Sequence, residues 1–140
     1  SVDAIEKMAT DKKMKIETNV QPGLRARADQ KATEQILMNL LDNAIKYTPA
    51  GGRVAISARG SDGVVRIEVS DDGPGIEPKH HARIFERFYR VDAGRSREMG
   101  GTGLGLSIVK NLTEAMGGQV GIKTAAPHGS IFWLTLPAGP

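Results

Sequence analysis

Asn39-Leu40-Leu41-Asp42-Asn43-Ala44-Ile45-Lys46-Tyr47 lies inside a helical pattern that runs from about Lys31 to Thr48. At 3.6 residues per turn, apolar side chains cover most of this helix, because leucine, isoleucine and alanine recur on nearly every side. The remaining polar residues form one narrow stripe: Gln35, Asn39, Asn43, Lys46 and Tyr47. A helix this apolar is predicted to be largely buried, so the stripe is predicted to face a cleft and not open water.

The two asparagines of the stripe, Asn39 and Asn43, are four residues apart and therefore stack on one helix face. Asparagine disfavours helix interiors by some tenths of a kcal/mol relative to alanine, roughly, because its amide competes for backbone hydrogen bonds. Paired amide oxygens suit a hydrated hard cation such as Mg²⁺, and Lys46 one turn later can meet an anion. An accidental pair on a solvated face is the alternative, and these residues alone leave it open.

The composition is that of a globular domain with few special features. The 140 residues are enough for a core, and 19 basic against 16 acidic residues give a net charge of +3. That charge is too small to argue for nucleic-acid binding. The chain contains no cysteine, which excludes disulfides and thiolate metal sites, and no apolar run approaches the length of about 18 residues that a membrane span needs.

The remaining periodic segments predict five strands and two further helices. Val2 to Lys13 and Leu104 to Met116 have helical periodicity, Asp29 is a suitable N-cap for the central helix, and Gly117 can end the last one. Strands are predicted at Lys15–Val20, which resembles an edge strand, and at Arg53–Arg59, Val64–Ser70, Gln119–Lys123 and Ser130–Leu136. This order favours an α/β sandwich: a mixed, largely antiparallel five-stranded sheet with about three helices packed on one face.

A first glycine cluster, Asp71-Asp72-Gly73-Pro74-Gly75-Ile76, directly follows a predicted strand. Its glycines let the backbone approach a planar ligand, and Asp71 can accept a hydrogen bond from an exocyclic amine such as that of adenine. A buried charge-assisted bond of this kind contributes about 1.5–3 kcal/mol. Taken alone, the cluster favours an ordinary Asp-Gly turn over a binding site.

A second cluster, Gly100-Gly101-Thr102-Gly103-Leu104-Gly105-Leu106-Ser107, runs straight into a helix. Free N–H groups of a glycine-rich loop at a helix N-terminus form an anion site that suits phosphates. The GxGxG spacing differs from the dinucleotide fingerprint, and Leu106 stands where a Walker A loop has its lysine. The chain also lacks the His-Arg-Asp and Asp-Phe-Gly motifs of eukaryotic protein kinases.

Between the clusters, the segment from Glu77 to Met99 is rich in arginine around Ile84-Phe85-Glu86-Arg87-Phe88-Tyr89-Arg90. The following residues 91–96 have little to bury, so the segment is predicted to be a mobile lid anchored by its phenylalanines. Its arginines could then bind phosphate. For Arg95 and Arg97, a solvated basic loop is an equally good interpretation.

The order of asparagine stripe, Asp-x-Gly-x-Gly, phenylalanine-rich lid and GxGxG closely resembles the catalytic and ATP-binding domain of bacterial sensor histidine kinases. These belong to the GHKL superfamily with gyrase, MutL and heat-shock-protein ATPases and share the Bergerat fold. The resemblance covers about Asp29 to Leu136. It implies that residues 1–140 form a single such domain, with the lid at about 77–105 and the dimerisation and phosphoacceptor domain absent.

The resemblance also implies roles for individual residues. The cofactors would be ATP and Mg²⁺, with Asn43 and also Asn39 as metal ligands, and with Lys46 and Arg90 on phosphates. Asp71 would bind the adenine amino group, and Tyr47 would lie against the ring. The full implied nucleotide-binding set is Asn39, Asn43, Lys46, Tyr47, Asp71, Gly73, Gly75, Ile76, Phe85, Phe88, Gly101, Thr102, Gly103, Leu104, Gly105 and Leu106. Asn39, Asn43, Lys46 and Arg90 would be the catalytic residues.

In the ATPase relatives, a glutamate one turn before the metal-binding asparagine activates water, and here that position is Asn39. An amide cannot act as a general base, so hydrolysis is expected to be slow. An imidazole nucleophile needs less activation than water, which leaves positioning and charge neutralisation as the work of the protein.

The resemblance implies transfer of the γ-phosphate to a histidine of a two-component signalling system. No motif like His-Glu-x-x-x-Thr-Pro occurs here, and His80, His81 and His128 are interpreted as surface residues. The phosphoacceptor would lie on a separate dimerisation domain, with a response regulator downstream and no nucleic-acid or membrane contact by this domain. The expected domain is cytoplasmic and monomeric in isolation, within a homodimeric parent anchored in the inner membrane.

Two alternatives remain at this point. The first is a binding module that closes on a partner helix in response to ATP without phosphate transfer; the intact Asn39, Asn43 and Lys46 favour the enzyme. The second is a serine kinase of the same superfamily, which the long phenylalanine-containing lid disfavours.

Overall fold

A five-stranded sheet forms one layer of the molecule and helices form the other. The computed structural model describes residues 2–26, 28–89, 105–125 and 128–139. The elements in chain order are α1 (Val2–Asp11), β1 (Lys15–Val20), α2 (Gln30–Tyr47), β2 (Arg53–Ser61), β3 (Val64–Asp71), α3 (Pro78–His81), α4 (Gly105–Ala115), β4 (Gln119–Thr124) and β5 (Ser130–Pro137). None of the helices in these residues is long and apolar enough to cross a membrane.

The strand order across the sheet is β1-β2-β3-β5-β4, with β1 and β4 at the edges. β1 runs parallel to β2, and the other three neighbouring pairs are antiparallel. The mixed, largely antiparallel sheet and the edge position of β1 are therefore confirmed. In this register Asp71, the last residue of β3, lies opposite Ser130, the first residue of β5.

The turns follow the backbone freedom of their residues. Asp62 and Gly63 join β2 to β3 with φ angles of 53° and 81°, as a two-residue hairpin turn of the primed type requires. Gly117 ends α4 with a φ of 84°, the left-handed conformation that was expected for this helix end.

The core lies between α2 and one face of the sheet. Its fully buried members include Ile36, Leu40, Ala44 and Ile45 from α2, and Val69, Phe132, Leu134 and Leu136 from the sheet. Alternate residues of β3 and β5 point away from this core, and there the Arg66 guanidinium lies 4.6 Å from the centre of the Trp133 ring. The prediction of helices on one face of the sheet is confirmed.

Both ends of α2 are held by side chains. Asp29 caps the first turn by accepting from the N–H groups of Lys31 at 2.9 Å and Ala32 at 3.4 Å. At the other end, Lys12 donates to the carbonyl oxygen of Ile45 at 2.6 Å, which places a positive charge on the negative end of the helix dipole. These contacts fix the position of α2 and therefore the position of its polar stripe.

The segment after β3 contains the one-turn helix α3, which the sequence did not predict. Beyond α3, Ile84 is buried, and Phe85 packs edge-on against Phe132 with ring centres 6.1 Å apart, as expected of an anchor. The expectation for Phe88 is wrong in this structure. Phe88 has a φ of 63° and is 61% exposed, because the chain turns there and leaves its ring beside Arg87 and outside the core. Residues 90–104, the distal part of the predicted lid, lie outside the described residues.

Two phenylalanines allow a matched test of this packing. Phe132→Ala should lower the free energy of unfolding by about 3–5 kcal/mol, because Phe132 is 2% exposed and its loss leaves a cavity. Phe88→Ala should change it by no more than about 0.5 kcal/mol. Urea denaturation followed by circular dichroism measures both values. Equal losses for the two variants would contradict the assignment of Phe132 to the core and Phe88 to the surface.

Candidate functional site

The polar stripe of α2 lies beside the first turn of α4, and Gln35 at its start is exposed. That the stripe faces a cleft stays a prediction. Asn39, Asn43, Lys46 and Tyr47 are all half-buried. On the other side of the stripe, Gly105 opens α4, and a Cβ atom placed on Gly105 would lie 3.9 Å from the Oδ1 atom of Asn39. The structure therefore brings the asparagine stripe next to the helix that follows the glycine-rich loop.

The Asn39 amide is not explained by packing alone. Its Nδ2 atom is buried and has no hydrogen-bond partner among the described residues. An unsatisfied buried donor costs about 1–3 kcal/mol, which a purely structural residue would not need to bear. Such a group is typical of a site that binds a polar ligand.

Lys46 forms an ion pair that the sequence analysis did not consider. Its Nζ atom lies 3.0 Å from Oδ2 of Asp42, one helical turn earlier, and both side chains are partly exposed. Pairs of this kind contribute at most about 1 kcal/mol, so a phosphate with more charge can compete for the ammonium group. Asp42 thus holds the Lys46 ammonium group on this side of α2 with a weak ion pair.

Asp71 lies at the end of β3 with its carboxylate held by main-chain donors. Oδ1 accepts from the N–H of Gly73 at 3.0 Å, and the N–H of Ser130 also donates to the carboxylate. Burial nevertheless raises the pKa of Asp71 above its ordinary value, because desolvation outweighs the two hydrogen bonds, and the neighbouring Asp72 adds to the increase. A desolvated carboxylate of this kind is a strong acceptor for an N–H donor of a ligand.

The glycines after Asp71 are required by close backbone contacts. A Cβ atom on Gly73 would lie 3.1 Å from both the Asp71 Oδ1 atom and the carbonyl oxygen of Tyr47. Gly75 has a φ of 81°, which other residues rarely adopt. The end of α2 and the turn after β3 therefore meet at Gly73 with no room for a side chain. Ile76, next in the chain, packs against the core.

A third segment closes on the same turn, and the sequence analysis missed it. His128 is exposed, as predicted, but its Nδ1 atom hydrogen-bonds to the carbonyl oxygen of Gly73 at 3.0 Å. Gly129 follows with a φ of 115°, and a Cβ atom on it would lie 2.0 Å from the carbonyl oxygen of Asp71. The available signal was a glycine just before a strand that pairs with β3.

The two histidines of the predicted lid segment make one contact within that segment and one with the residue before it. Nδ1 of His80 is hydrogen-bonded to the hydroxyl of Tyr89, and Nε2 of His81 lies 2.8 Å from the carbonyl oxygen of Ile76. Both residues are half-buried and therefore less exposed than expected.

Some of the predicted site residues lie outside the described part of the chain. These are Arg90, Gly101, Thr102, Gly103 and Leu104. Gly105 and Leu106 are described and form the first turn of α4, and Leu106 packs against the core.

The donor set fits a magnesium ion that is carried by a nucleotide. Among the described residues, no group of three or more His, Cys, Asp or Glu side chains is placed to hold a metal ion. Mg²⁺ commonly binds to one or two protein oxygens together with substrate phosphates and water, and the amides of Asn39 and Asn43 can supply such oxygens.

Comparison with family models matches residues 28–140 to the family described as histidine kinase-, DNA gyrase B- and HSP90-like ATPase. Among curated proteins, the chain is 41% identical over 133 residues to the sensor protein IrlS of Burkholderia pseudomallei, covering 95% of the chain and 28% of the relative. It is 41% identical over 132 residues to the sensor-like histidine kinase SenX3 of Mycolicibacterium smegmatis, covering 94% and 34%. The chain thus spans about a third or less of the length of these relatives.

Solved structures show the same fold. Full-length ShkA in complex with AMPPNP matches with a TM-score of 0.84 and 38% identity, covering 98% of this chain and 28% of that one. The mycobacterial sensor histidine kinase MprB matches with a TM-score of 0.84 and 32% identity, covering 99% and 93%. With its two-layer fold, its asparagine stripe and its Asp71 turn, the chain belongs to the histidine kinase-, DNA gyrase B- and HSP90-like ATPase family and is of the sensor histidine kinase type.

Proposed function

We propose that this domain binds Mg-ATP and transfers the γ-phosphate to a histidine on a separate dimerisation domain. The observation that carries the proposal is the half-buried carboxylate of Asp71, which main-chain donors hold beside the polar stripe of α2. In this arrangement, a carboxylate that can accept a hydrogen bond from the amine of a purine lies beside side chains that can bind phosphate and a metal ion. The AMPPNP bound to ShkA, a relative of the same fold, supports it.

The adenine end of the site is assigned to the turn after β3. Asp71 accepts from the exocyclic amine, for which guanine would offer a carbonyl and no donor. Gly73 and Gly75 let the main chain lie close to the ring, and Tyr47 and Ile76 provide apolar contact. The selection of adenine over guanine then depends on one carboxylate, that of Asp71, which main-chain N–H groups hold in place.

The phosphate end is assigned to α2 and the start of α4. Asn43 and Asn39 hold Mg²⁺, whose charge offsets that of the phosphates when it is bound. Lys46 exchanges Asp42 for a phosphate oxygen, and the glycine-rich loop ending at Gly105 donates N–H groups to the phosphates. Arg90 in the lid is proposed as the contact to the γ-phosphate.

The chemistry proposed is transfer to imidazole and not hydrolysis. The side chain of Asn39, at the position where the ATPase relatives have a glutamate, is an amide that cannot act as a general base. Without a general base, water is a poor nucleophile at this site, whereas a neutral histidine already presents a lone pair. Alignment of the acceptor with the γ-phosphate is then the main contribution of the domain.

The partners follow from this chemistry. We propose that residues 1–140 act as one cytoplasmic unit on a dimerisation domain that carries the substrate histidine, and that a response regulator receives the phosphate next. The domain alone is then a monomer, and the parent protein a homodimer with an inner-membrane anchor.

Transfer of label from [γ-³²P]ATP to a supplied dimerisation domain of a related kinase tests the function directly. We expect label on the supplied domain in the presence of Mg²⁺ and none when its phosphoacceptor histidine is replaced by glutamine. Nucleotide-dependent association without any transfer would instead favour the binding module.

Asp71→Asn tests base recognition, because it keeps the shape but replaces one acceptor oxygen by a donor amide. ATP affinity should fall about tenfold or more, since a charge-assisted hydrogen bond is lost. Isothermal titration calorimetry measures the change. Unchanged affinity in a folded variant would reject the role of Asp71.

Asp71→Asn is also expected to affect stability, and in the opposite direction: the substitution that weakens ATP binding should not weaken the fold. Because the pKa of Asp71 is raised in the fold, ionisation of Asp71 destabilises the protein as the pH rises through that pKa. Asp71→Asn should therefore be at least as stable as the parent at pH 7, and its advantage should disappear below the ordinary pKa of 3.8. Thermal unfolding at a series of pH values measures the difference in stability between the variant and the parent protein. A difference that favours the variant less at pH 7 than at pH 3 would contradict the prediction.

Asn43→Ala tests the metal ligand. Removing this amide should leave metal-free ADP binding within about twofold and should reduce the enhancement of ATP binding by Mg²⁺ about tenfold or more. Calorimetric titrations with Mg²⁺ and with EDTA give the two values. Gln35→Ala, an exposed position on the same helix, is the matched control. A full magnesium effect in Asn43→Ala would remove Asn43 from the ligand set.

A further inference from the structure

We propose that His128 is a positioning residue for the nucleotide base. Its imidazole holds the Asp71–Gly75 turn in the shape that directs the Asp71 carboxylate at the ligand. The inference deepens the proposed function and rests on it, since the turn matters only if it receives a base. It concerns a residue that makes one long-range contact and belongs to none of the motifs described above.

The contact defines the chemistry of the ring. Nδ1 of His128 lies 3.0 Å from the carbonyl oxygen of Gly73, 55 residues away in the chain. A carbonyl oxygen can only accept, so Nδ1 must carry the proton. The bond therefore selects the Nδ1–H tautomer when the ring is neutral, and the imidazolium form can make the same bond.

Gly73 is tied on both sides of its Cα atom. Its N–H donates to Oδ1 of Asp71 at 3.0 Å, and its carbonyl oxygen accepts from His128. The N–H and the carbonyl belong to two different peptide planes, so the two bonds together restrict both φ and ψ of Gly73. His128 thus acts on Asp71 through a single flexible residue.

The turn is held at its start by Asp72, whose Oδ1 atom accepts from the N–H of Arg53 at 2.8 Å and whose N–H donates to the carbonyl oxygen of Arg53. Beyond Asp72 it offers few side-chain groups. Gly73 and Gly75 have no side chains, and Pro74 between them has no N–H to donate. The end of α2 closes one side of Gly73 through the carbonyl oxygen of Tyr47. The segment at 128–130 closes another, where a Cβ atom on Gly75 would lie 3.0 Å from the carbonyl oxygen of Gly129. In that segment, His128 is the residue whose side chain bonds to the turn.

Two variants separate the hydrogen bond from the bulk of the ring. His128→Asn places an amide nitrogen at the same distance from Cβ as Nδ1 and can still donate, whereas His128→Leu fills similar space without a donor. Gln21→Leu is the matched control, because Oε1 of Gln21 accepts from the N–H of Gly60 at 3.1 Å in a similar side-chain-to-loop bond away from Asp71 and Gly73.

Amide hydrogen exchange at Gly73 and ADP titration provide two independent readouts. In His128→Leu we expect faster exchange of the Gly73 amide and about three- to tenfold weaker ADP binding, the loss of one net hydrogen bond. His128→Asn should restore both to within about twofold, and Gln21→Leu should change neither. Nitrogen NMR of the parent protein should show a protonated Nδ1 on His128.

Equal behaviour of the asparagine and leucine variants would overturn the proposal, because a structural effect of the ring does not depend on a donor. Unchanged ADP affinity in His128→Leu would also overturn it, even with faster exchange. Failure of the parent protein to bind ADP would instead overturn the proposed function. In that case the exchange and tautomer measurements would still decide whether His128 holds the turn.

Discussion

The desolvated carboxylate of Asp71 is the constraint on which the site depends. Keeping it ionised away from water costs free energy, and the N–H groups of Gly73 and Ser130 offset only part of that cost, as its raised pKa shows. The Gly73 donor is local to the turn, but the Ser130 donor lies on β5, so the register between β3 and β5 must be correct for it to reach Asp71. The position of the Asp71 carboxylate therefore depends on the pairing of β3 with β5.

α2 combines two roles that usually oppose each other. One side supplies Ile36, Leu40 and Ile45 to the core, and the other carries the half-buried polar side chains of Asn39 and Asn43. Because the buried side fixes the helix and Lys12 and Asp29 hold its ends, the polar groups need no flexible loop to carry them. The cost falls on Asn39, whose Nδ2 atom has no hydrogen-bond partner in the part of the chain that the structure describes.

Local rules were sufficient for the elements and the motifs. The spacing of apolar residues, the Asp29 cap and the glycines at turns predicted every strand and the long helices to within one or two residues. What they could not predict depends on contacts between distant segments. His128 lies next to Gly73 only because β5 pairs with β3, and Phe88 leaves the core only because the chain turns with a positive φ there. The Asp42–Lys46 pair was accessible from the i, i+4 spacing but was not considered.

The contacts around Gly73 and Gly129 have a consequence for how this surface can change over time. Where backbone segments come this close, the surface that they form consists largely of peptide groups, and most of these groups persist whichever side chains replace their neighbours. The shape of this corner therefore depends little on substitutions at other surface positions. A compound that binds these peptide groups would leave few positions at which a mutation could confer resistance, and most changes at the glycines themselves would damage the protein.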